Sequence, residues 1–244
     1  MNPIRSALAL ACLSGCGVAA AGSVHHVPAD FPTIQAAIDG SSDGDTILVD
    51  PGTYFEAIDI THDVGLRSTG GAAVTVIDAL YLEPVVTTHS NATAATRVEG
   101  FTITHGRNDF WAGGIVVNGG SPWIVANIVT ENLGGGFGNG ISLYFSSARV
   151  QRNEVTHNSN NPGISGGGGG GGIGVGGDPC PGLDCGTEIR GNLIAWNSAA
   201  SYTTGGGIYL NAAGSVAIVD NEIRGNSTQS EGGGIGMYNG SSPR

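Results

Sequence analysis

One nine-residue pattern occurs four times in this chain and constrains its fold more than any other feature. Each copy holds two asparagines five positions apart, in an apolar segment linked to a Gly-rich turn and a short strand. The first asparagines of the copies are Asn127, Asn153, Asn192 and Asn221. Internal repeats of this kind indicate one structural unit stacked on the next, so they take precedence over local propensity.

The spacing of the copies predicts a coil of parallel strands. Counted from Phe101, which stands where the later copies have asparagine, the spacings are 26, 26, 39 and 29 residues. Equal copies keep their apolar faces together only when the strands run in one direction. The coils would then stack about 4.8 Å apart. At that distance Asn127, Asn153, Asn192 and Asn221 are expected to form a ladder, each amide bonding its neighbours above and below.

The 39-residue spacing requires an insertion, which the sequence places at residues 159–186. Its first part contains seven consecutive glycines. No Lys-Ser or Lys-Thr pair follows them, so they indicate a flexible loop and not a phosphate-binding loop. Its second part contains Cys180 and Cys185, whose spacing suits a local disulfide in an exported protein. A metal site that adds Asp178 and Asp184 is less favoured, because two thiols make a poor zinc site and the carboxylates lack calcium-loop spacing.

Residues 1–22 have the features of an export signal. Arg5 is the only charged residue there, a short apolar stretch follows it, and an A-x-A cleavage site lies at residues 19–21. The stretch is too short to span a bilayer, and no later segment reaches that length. Residues 13–16 also resemble a bacterial lipobox with Cys16 as the lipidated residue, so soluble export and lipoprotein anchoring both stay open. Either outcome places the domain outside the cytoplasm, as a secreted, periplasmic or outer-envelope protein.

The mature chain divides into an N-terminal part and the repeats. Residues 23–97 are predicted to hold a cap and the first coils, and the one clear helix signal lies in residues 31–40 with Thr33 as its N-cap. Residues 98–244 are predicted to be the asparagine-ladder repeats. The final copy runs to Arg244 with nothing that would cover an open coil, so we expect a truncated product whose parent has more coils.

The composition excludes several classes of partner. Glycine accounts for 44 of the 244 residues, which suits tight turns and short strands better than helices. The net charge is −11, and all nine basic residues are arginines. Such a balance disfavours nucleic acid and anionic membranes as partners. The absence of lysine also excludes Schiff-base chemistry.

Three segments near the N-terminus carry a family resemblance. They read Val27-Pro-Ala-Asp-Phe-Pro-Thr-Ile-Gln-Ala-Ala-Ile38, Gly44-Asp-Thr-Ile-Leu-Val49 and Pro51-Gly-Thr-Tyr54. Together with the asparagine repeats, they resemble exported bacterial proteins of the pectin-lyase-like superfamily, over about residues 24–244. The resemblance implies an all-β, right-handed parallel β-helix with a short N-terminal capping helix. It implies no single activity, because members include lyases, hydrolases, esterases, epimerases and proteins without known activity.

In that family the substrate groove usually follows one row of strands, predicted here at residues 115–118, 141–144, 173–175, 208–211 and 235–238. Alternation places Ile235 and Met237, like the apolar residues before them, in the core. The outward set contains no carboxylate, histidine or arginine: Val116, Asn118, Ser142, Tyr144, Gly174, Tyr209, Asn211, Gly236 and Tyr238. Glycoside hydrolysis needs two carboxylates, and uronate elimination needs a base with cations. The row therefore shows no catalytic motif, and no motif supports calcium as a cofactor.

The same row offers a chemistry for binding sugars. Tyr144, Tyr209 and Tyr238 could stack on sugar rings while Asn118 and Asn211 bond hydroxyls. The alternative is that exposed tyrosines are simply favourable strand residues. Trp111 and Trp123 could line the edge of the same groove, although tryptophans in such positions more commonly pack over the coil.

Loops beside this row carry the candidates for catalysis. His105, His157 and Glu131 are the candidate bases, and Arg107 is the candidate cation, although each is also typical of a solvated loop. The leading hypothesis is an exported, non-catalytic protein that binds or scaffolds polysaccharide. A polysaccharide lyase or glycoside hydrolase acting on a polyuronate or related polymer is one alternative. A structural stalk or adhesin without glycan affinity is the other.

Overall fold

A computed structural model describes residues 22–162, 169–177, 186–199, 204–229 and 231–243. Three sheets of parallel strands wind around one apolar core, and each coil contributes a strand to each sheet in turn. The predicted class, an all-β parallel β-helix with a short helix at its N-terminal end, is confirmed. Residues 1–21 of the predicted export signal, Cys180, Cys185, Asp178, Asp184 and the first three residues of the glycine run lie outside the described residues. No helix in the described part is long and apolar enough to cross a membrane.

The strands of each sheet follow one another in chain order. The first sheet has nine strands, Val24–Val27, Thr46–Val49, Gly65–Ser68, Arg97–Glu99, Trp123–Val125, Arg149–Gln151, Thr187–Arg190, Ser215–Val219 and Ser242–Pro243. The second sheet has seven, Gly52–Tyr54, Thr75–Asp78, Thr102–Thr104, Ile128–Thr130, Glu154–Thr156, Leu193–Ala195 and Glu222–Arg224. The third sheet also has seven, Ile58–Ile60, Val86–Thr88, Ile115–Asn118, Ile141–Tyr144, Ile173–Gly176, Ile208–Asn211 and Ile235–Tyr238. Two short pairs complete the coil, Leu133–Gly134 with Ser159–Asn160, and Ser198–Ala199 with Ser227–Thr228.

The core forms because the strands stack in register and keep one apolar side chain of each coil above the next. One such column of fully buried residues in the first sheet is Ile47, Leu66, Val98, Ile124, Val150 and Ile189. Burying a side chain of this size contributes roughly 1.5–3 kcal/mol. The column is the main reason that identical strand patterns along the chain produce a solenoid.

One helix among the described residues, Ile34–Asp39, closes the N-terminal end of this core. The Thr33 side chain accepts a hydrogen bond from the backbone N–H of Ala36, and Ile34 and Ile38 are buried. The carboxylate of Glu56 also accepts hydrogen bonds from the N–H groups of Ile34 and Gln35 at 2.9 and 3.0 Å. Because these N–H groups have no partner within the helix, Glu56 anchors the helix to the first coil.

Two asparagine ladders stabilise the corners on either side of the second sheet. In the expected ladder, Nδ2 of Asn127, Asn153 and Asn192 donates to Oδ1 of the next asparagine at 3.1, 3.0 and 2.9 Å. A second ladder uses the other asparagine of each copy, with distances of 2.9, 2.9 and 3.0 Å. Its members are Asn132, Asn158, Asn197 and Asn226. A ladder was expected only at the first asparagine of each copy, although the second asparagines recur with equal regularity.

The prediction that the last strand buries Ile235 and Met237 was wrong. Their exposed fractions are 40% and 57%, whereas the matching Ile208 and Leu210 one coil earlier are fully buried. Among the described residues no further coil packs against Ile235–Tyr238, so its inward side chains lose the contacts that bury their counterparts.

Candidate functional site

The row of third-sheet strands expected to be open is largely covered. Val116, Ser142 and Tyr209 have exposed fractions of 3%, 0% and 6%, and Gly174 is also buried. The prediction that they form an accessible face was therefore wrong. The physical reason is that loops between the second and third sheets fold back over the strands.

An aromatic cluster forms this cover. The ring of Phe137 lies 5.5 Å from Trp111, 6.3 Å from Tyr144 and 5.7 Å from Tyr209, in edge-to-face geometry. Tyr144 also contacts Trp111 at 4.9 Å and Phe145 at 4.6 Å. Edge-to-face pairs of this kind stabilise beyond the burial of their area. Tyr209 therefore packs within the protein and is not available to stack on a sugar.

The other predicted binding residues do not form one platform. Tyr144 is 37% exposed at the edge of the aromatic cluster, and Tyr238 is 60% exposed on the last described coil. Asn118 is half-buried, and Asn211 accepts a hydrogen bond from Nδ2 of Asn239 at 2.8 Å. The structure thus spreads these residues over the strand ends and does not bring them together.

A groove lies instead between two loops of successive coils, residues 81–84 on one side and residues 107–110 on the other. We call it the Tyr81 groove. Its volume is about 540 Å³. Leu82 and Phe110 are 77% and 78% exposed, and Tyr81 is 41% exposed. Apolar side chains this exposed, grouped around one opening, indicate a surface for contact with another molecule.

Hydrogen bonds hold both walls of the groove in place. The carboxylate of Asp78 accepts from the N–H of Leu80 at 2.8 Å, and the N–H of Arg107 donates to the carbonyl of Glu83 at 2.9 Å. On the other wall, Oδ1 of Asn108 accepts from the N–H of Phe110 at 2.8 Å. The groove is therefore preorganised, which lowers the entropy cost of binding.

Three of the four catalytic candidates lie together beside this groove. Nδ1 of His105 is 2.9 Å from Oδ2 of Asp78, and Nε2 is 3.3 Å from Oε2 of Glu131. The ring of Tyr81 lies 4.8 Å from the imidazole. Arg107 is two positions further along the chain and forms an ion pair with Asp109 at 3.7 Å. The structure brings His105, Glu131 and Arg107 to one place.

The repeat explains this placement. At the corner after the second sheet, four successive coils each present one residue in a left-handed backbone conformation, with φ between 53° and 59°. These residues are His105, Glu131, His157 and Trp196. Each stands directly before a position of the second ladder, so the ladder fixes the corner and leaves the side chain outside. His157 is exposed one coil beyond Glu131.

The groove has the character of a binding site, and most of the charged side chains around it are carboxylates. Both nitrogens of His105 lie within ion-pair distance of a carboxylate, Nδ1 beside Asp78 and Nε2 beside Glu131. The carboxylates of Asp78, Glu83, Asp109 and Glu131 outnumber the one guanidinium of Arg107. Within the described residues no group of three or more His, Cys, Asp and Glu side chains is arranged to hold a metal ion.

Sequence reasoning missed Tyr81, Leu82, Glu83 and Phe110. One signal was present, because Asn108 and Asp109 before an aromatic residue favour a turn that displays it. Trp111 was expected either to edge a groove or to pack, and it packs in the aromatic cluster. Trp123 lies elsewhere, on the first sheet, with Arg97 and Arg149 over its ring at 5.2 Å each.

No protein-family model and no solved structure matches this chain. Among curated proteins, it is similar to a cell surface glycoprotein of Methanothermus fervidus, with 31% identity over 127 residues, 50% of the chain. The chain spans 18% of the length of that relative. The similarity is thus to a small part of a longer protein, and the resemblance to the pectin-lyase-like superfamily stays a prediction.

Proposed function

We propose that this protein is displayed outside the cytoplasm, at the cell surface, and binds a polysaccharide without cleaving it. The observation that carries the proposal is the Tyr81 groove. It combines two exposed aromatic rings, Tyr81 and Phe110, with carboxylate, amide and guanidinium groups on a preorganised frame.

This combination suits a chain of sugars. Aromatic rings stack on the apolar faces of sugar rings, while Glu83, Asn108 and Asp109 accept or donate hydrogen bonds to hydroxyls. Asp109 is itself held by Nδ2 of Asn161 at 2.7 Å. A fixed carboxylate loses little entropy when it binds a hydroxyl, so it contributes to specificity.

The charge of the groove selects among polysaccharides. A polyuronate brings one carboxylate per sugar, and these would approach Asp78, Glu83, Asp109 and Glu131 with only Arg107 to offset them. Like charges at such distances cost binding energy. The groove therefore favours a neutral glycan, and it disfavours the polyuronate substrate considered from the sequence.

One prediction from the sequence and one comparison support the location. The export signal predicted at residues 1–22 would carry the chain across a membrane. The relative that it resembles is named a cell surface glycoprotein. A solenoid with a groove on its side is also a suitable architecture for display, because its length separates the binding site from the surface beneath.

The test is affinity electrophoresis of the purified protein in gels containing neutral or acidic polysaccharides. We expect retardation by a neutral polymer, and a loss of about threefold to tenfold in affinity for Tyr81→Ala and for Phe110→Ala. Tyr238→Ala is the matched control, because Tyr238 is an exposed aromatic residue away from the groove. Equal losses in all three variants would contradict the groove assignment. If no polymer retarded the protein, glycan binding would be contradicted and the hypothesis of a structural stalk would be favoured.

A second function has one specific observation in its favour, the placement of His105 between Asp78 and Glu131. A carboxylate beside an imidazole can orient it as a general base, and the same contact also occurs as a purely structural one. Release of reducing ends from a polysaccharide panel, abolished by His105→Ala, would establish catalysis. We expect no release, and binding that survives His105→Ala.

A further inference from the structure

The outer surface of the first sheet differs in charge from the rest of the protein. The five strands from Gly65–Ser68 to Thr187–Arg190 carry four arginines and two glutamates, in a chain whose net charge is −11. The arginines are Arg67, Arg97, Arg149 and Arg190. This surface is therefore locally basic, and it lies on a different sheet from the strand row beside the Tyr81 groove.

Register explains how the basic residues are held. Arg97, Trp123 and Arg149 occupy equivalent positions on three successive strands. Each guanidinium carbon lies 5.2 Å from the centre of the indole ring, one from the coil before and one from the coil after. Cation–π contacts of this kind orient both guanidinium groups.

The two arginines differ in how far their charge is already neutralised. Nε of Arg97 lies 2.6 Å from Oε2 of Glu99, and this hydrogen bond holds the pKa of Glu99 below its ordinary value. Arg149 approaches Glu188 only through Nη1, at 3.3 Å, and its side chain is 50% exposed. Glu188 in turn is bound more closely by Arg190, at 2.6 Å. Most of the five N–H donors of Arg149 therefore remain open to a ligand.

A hollow of about 290 Å³ lies beside Arg149. Its lining includes Trp123, Ser121, Ser147 and Glu188. Within the part of the chain that the structure describes, neither serine hydroxyl has a hydrogen-bond partner. We call this the Trp123 hollow. It joins one guanidinium, two free hydroxyls and the side of an indole in a space near the lower end of the range for small-molecule sites.

We propose that the Trp123 hollow binds an acidic sugar, with the sugar carboxylate on Arg149 and its hydroxyls on Ser121, Ser147 and Glu188. A guanidinium pairs with a carboxylate through two parallel hydrogen bonds, which is the strongest polar contact available on this surface. Glu188 accepts a hydroxyl but repels a second anion, so the hollow selects a singly charged sugar over a polyanion. This site does not depend on the Tyr81 groove, which favours neutral glycans.

The experiment is isothermal titration of the full protein with sodium glucuronate, with glucose as the uncharged analogue of the same ring. We expect glucuronate to bind, glucose to bind at least tenfold more weakly, and Arg149→Gln to reduce glucuronate binding about tenfold. The matched control is Arg224→Gln, because Arg224 also lies over a tryptophan, Trp196, at 5.6 Å and pairs with Glu222. Arg224 does not line the Trp123 hollow, so its replacement should leave binding unchanged.

Ser147→Leu provides a second test that keeps the charges intact, since the larger side chain would fill the hollow and abolish binding.

Inorganic phosphate that binds as tightly as glucuronate would overturn the sugar assignment, and equal effects of Arg149→Gln and Arg224→Gln would overturn the site. Oligomers of glucuronate test the selectivity of the hollow, because their additional carboxylates should weaken binding relative to the monosaccharide. Tighter binding of the oligomers would overturn the role of Glu188 in selecting a singly charged sugar. Tyr81→Ala should not change any of these results, which separates failure here from failure of the proposed function.

Discussion

Nδ2 of Asn153 donates a hydrogen bond to Oδ1 of Asn192 at 3.0 Å, although 39 residues separate them in the chain. The equivalent bond from Asn127 to Asn153 spans only 26 residues, and its length is nearly the same, 3.1 Å. The corners of the coil thus keep the same bond whether 26 or 39 residues separate them along the chain. Because the loops are free to vary, a groove can form on them without disturbing the core.

Replacement of an inner ladder asparagine should destabilise the coil strongly. Oδ1 of Asn192 accepts from the N–H and Nδ2 of Asn153, and its Nδ2 donates to Val150 and to Asn221. Asn192→Ala leaves several of these buried groups without a partner, so we expect a loss of about 3 kcal/mol in the free energy of unfolding. Chemical denaturation measures it. Asn221→Ala is the comparison, because Asn221 is only half-buried, and a loss as large as that of Asn192→Ala would contradict the account.

The backbone conformation of Gly191, directly before Asn192 of the first ladder, predicts which residues can replace it. Gly191 has φ of 62°, and the nearest atom to an added Cβ is Cγ of Arg152 at 4.0 Å, so space is available and strain is the only cost. We expect Gly191→Val to lower the free energy of unfolding by about 1–2 kcal/mol, and Gly191→Asn to lower it by less, since asparagine adopts this conformation more readily. Thermal unfolding of the two variants checks the order. Equal losses in the two variants would show that backbone strain at residue 191 does not determine the loss in stability.

Gly176 leaves room for the ring that covers the third sheet. A Cβ atom at this position would collide with Phe137. Gly176→Ala should therefore cost about 1–3 kcal/mol, and much less in a Phe137→Ala background, where the ring is absent. A double-mutant cycle by chemical denaturation gives the coupling between the two positions. Additive effects would mean that Phe137 does not pack on Gly176.

Acid should weaken one contact between successive coils. Asp63 accepts hydrogen bonds from the N–H of Thr93 at 2.7 Å and from the hydroxyl of Thr96 at 2.5 Å. Although partial burial acts to raise it, these hydrogen bonds hold the pKa of Asp63 below its ordinary value. A depressed pKa in the folded state means that the stabilisation is present above the ordinary value, about 4, and is lost as the pH falls through the folded value.

Asp63→Asn therefore should reduce the free energy of unfolding at pH 7, and the difference from the wild type should shrink progressively below about pH 4. Urea unfolding at several pH values measures it. Glu154→Gln is the control, because the Glu154 side chain is exposed and makes no hydrogen bond or ion pair among the described residues. A difference for Asp63→Asn that stayed constant with pH would contradict the role of its ionised form.

Much of the fold follows from local pattern. Strands expected at residues 115–118, 141–144 and 208–211 have those bounds in the structure, because apolar alternation and Gly-rich turns mark both ends. The helix that begins after Thr33 is equally local, since its cap and its buried residues lie within one short segment. The second asparagine of each copy recurs as regularly as the first. Only the structure shows that Asn132 and its equivalents lie at a corner of the coil and form a second ladder.

The candidate site is a different matter, because its parts come from separate coils. Tyr81 and Phe110 lie on different loops, and no periodicity relates them. Likewise, alternation correctly placed Tyr209 on the outer side of its strand, but Phe137 covers it. The sequence by itself determined the repeat, the direction of the strands and the residues that form the core, since these depend on spacing within one coil. Tertiary structure alone decided which outer surfaces stay open, because that depends on how loops of one coil pack over the strands of the next.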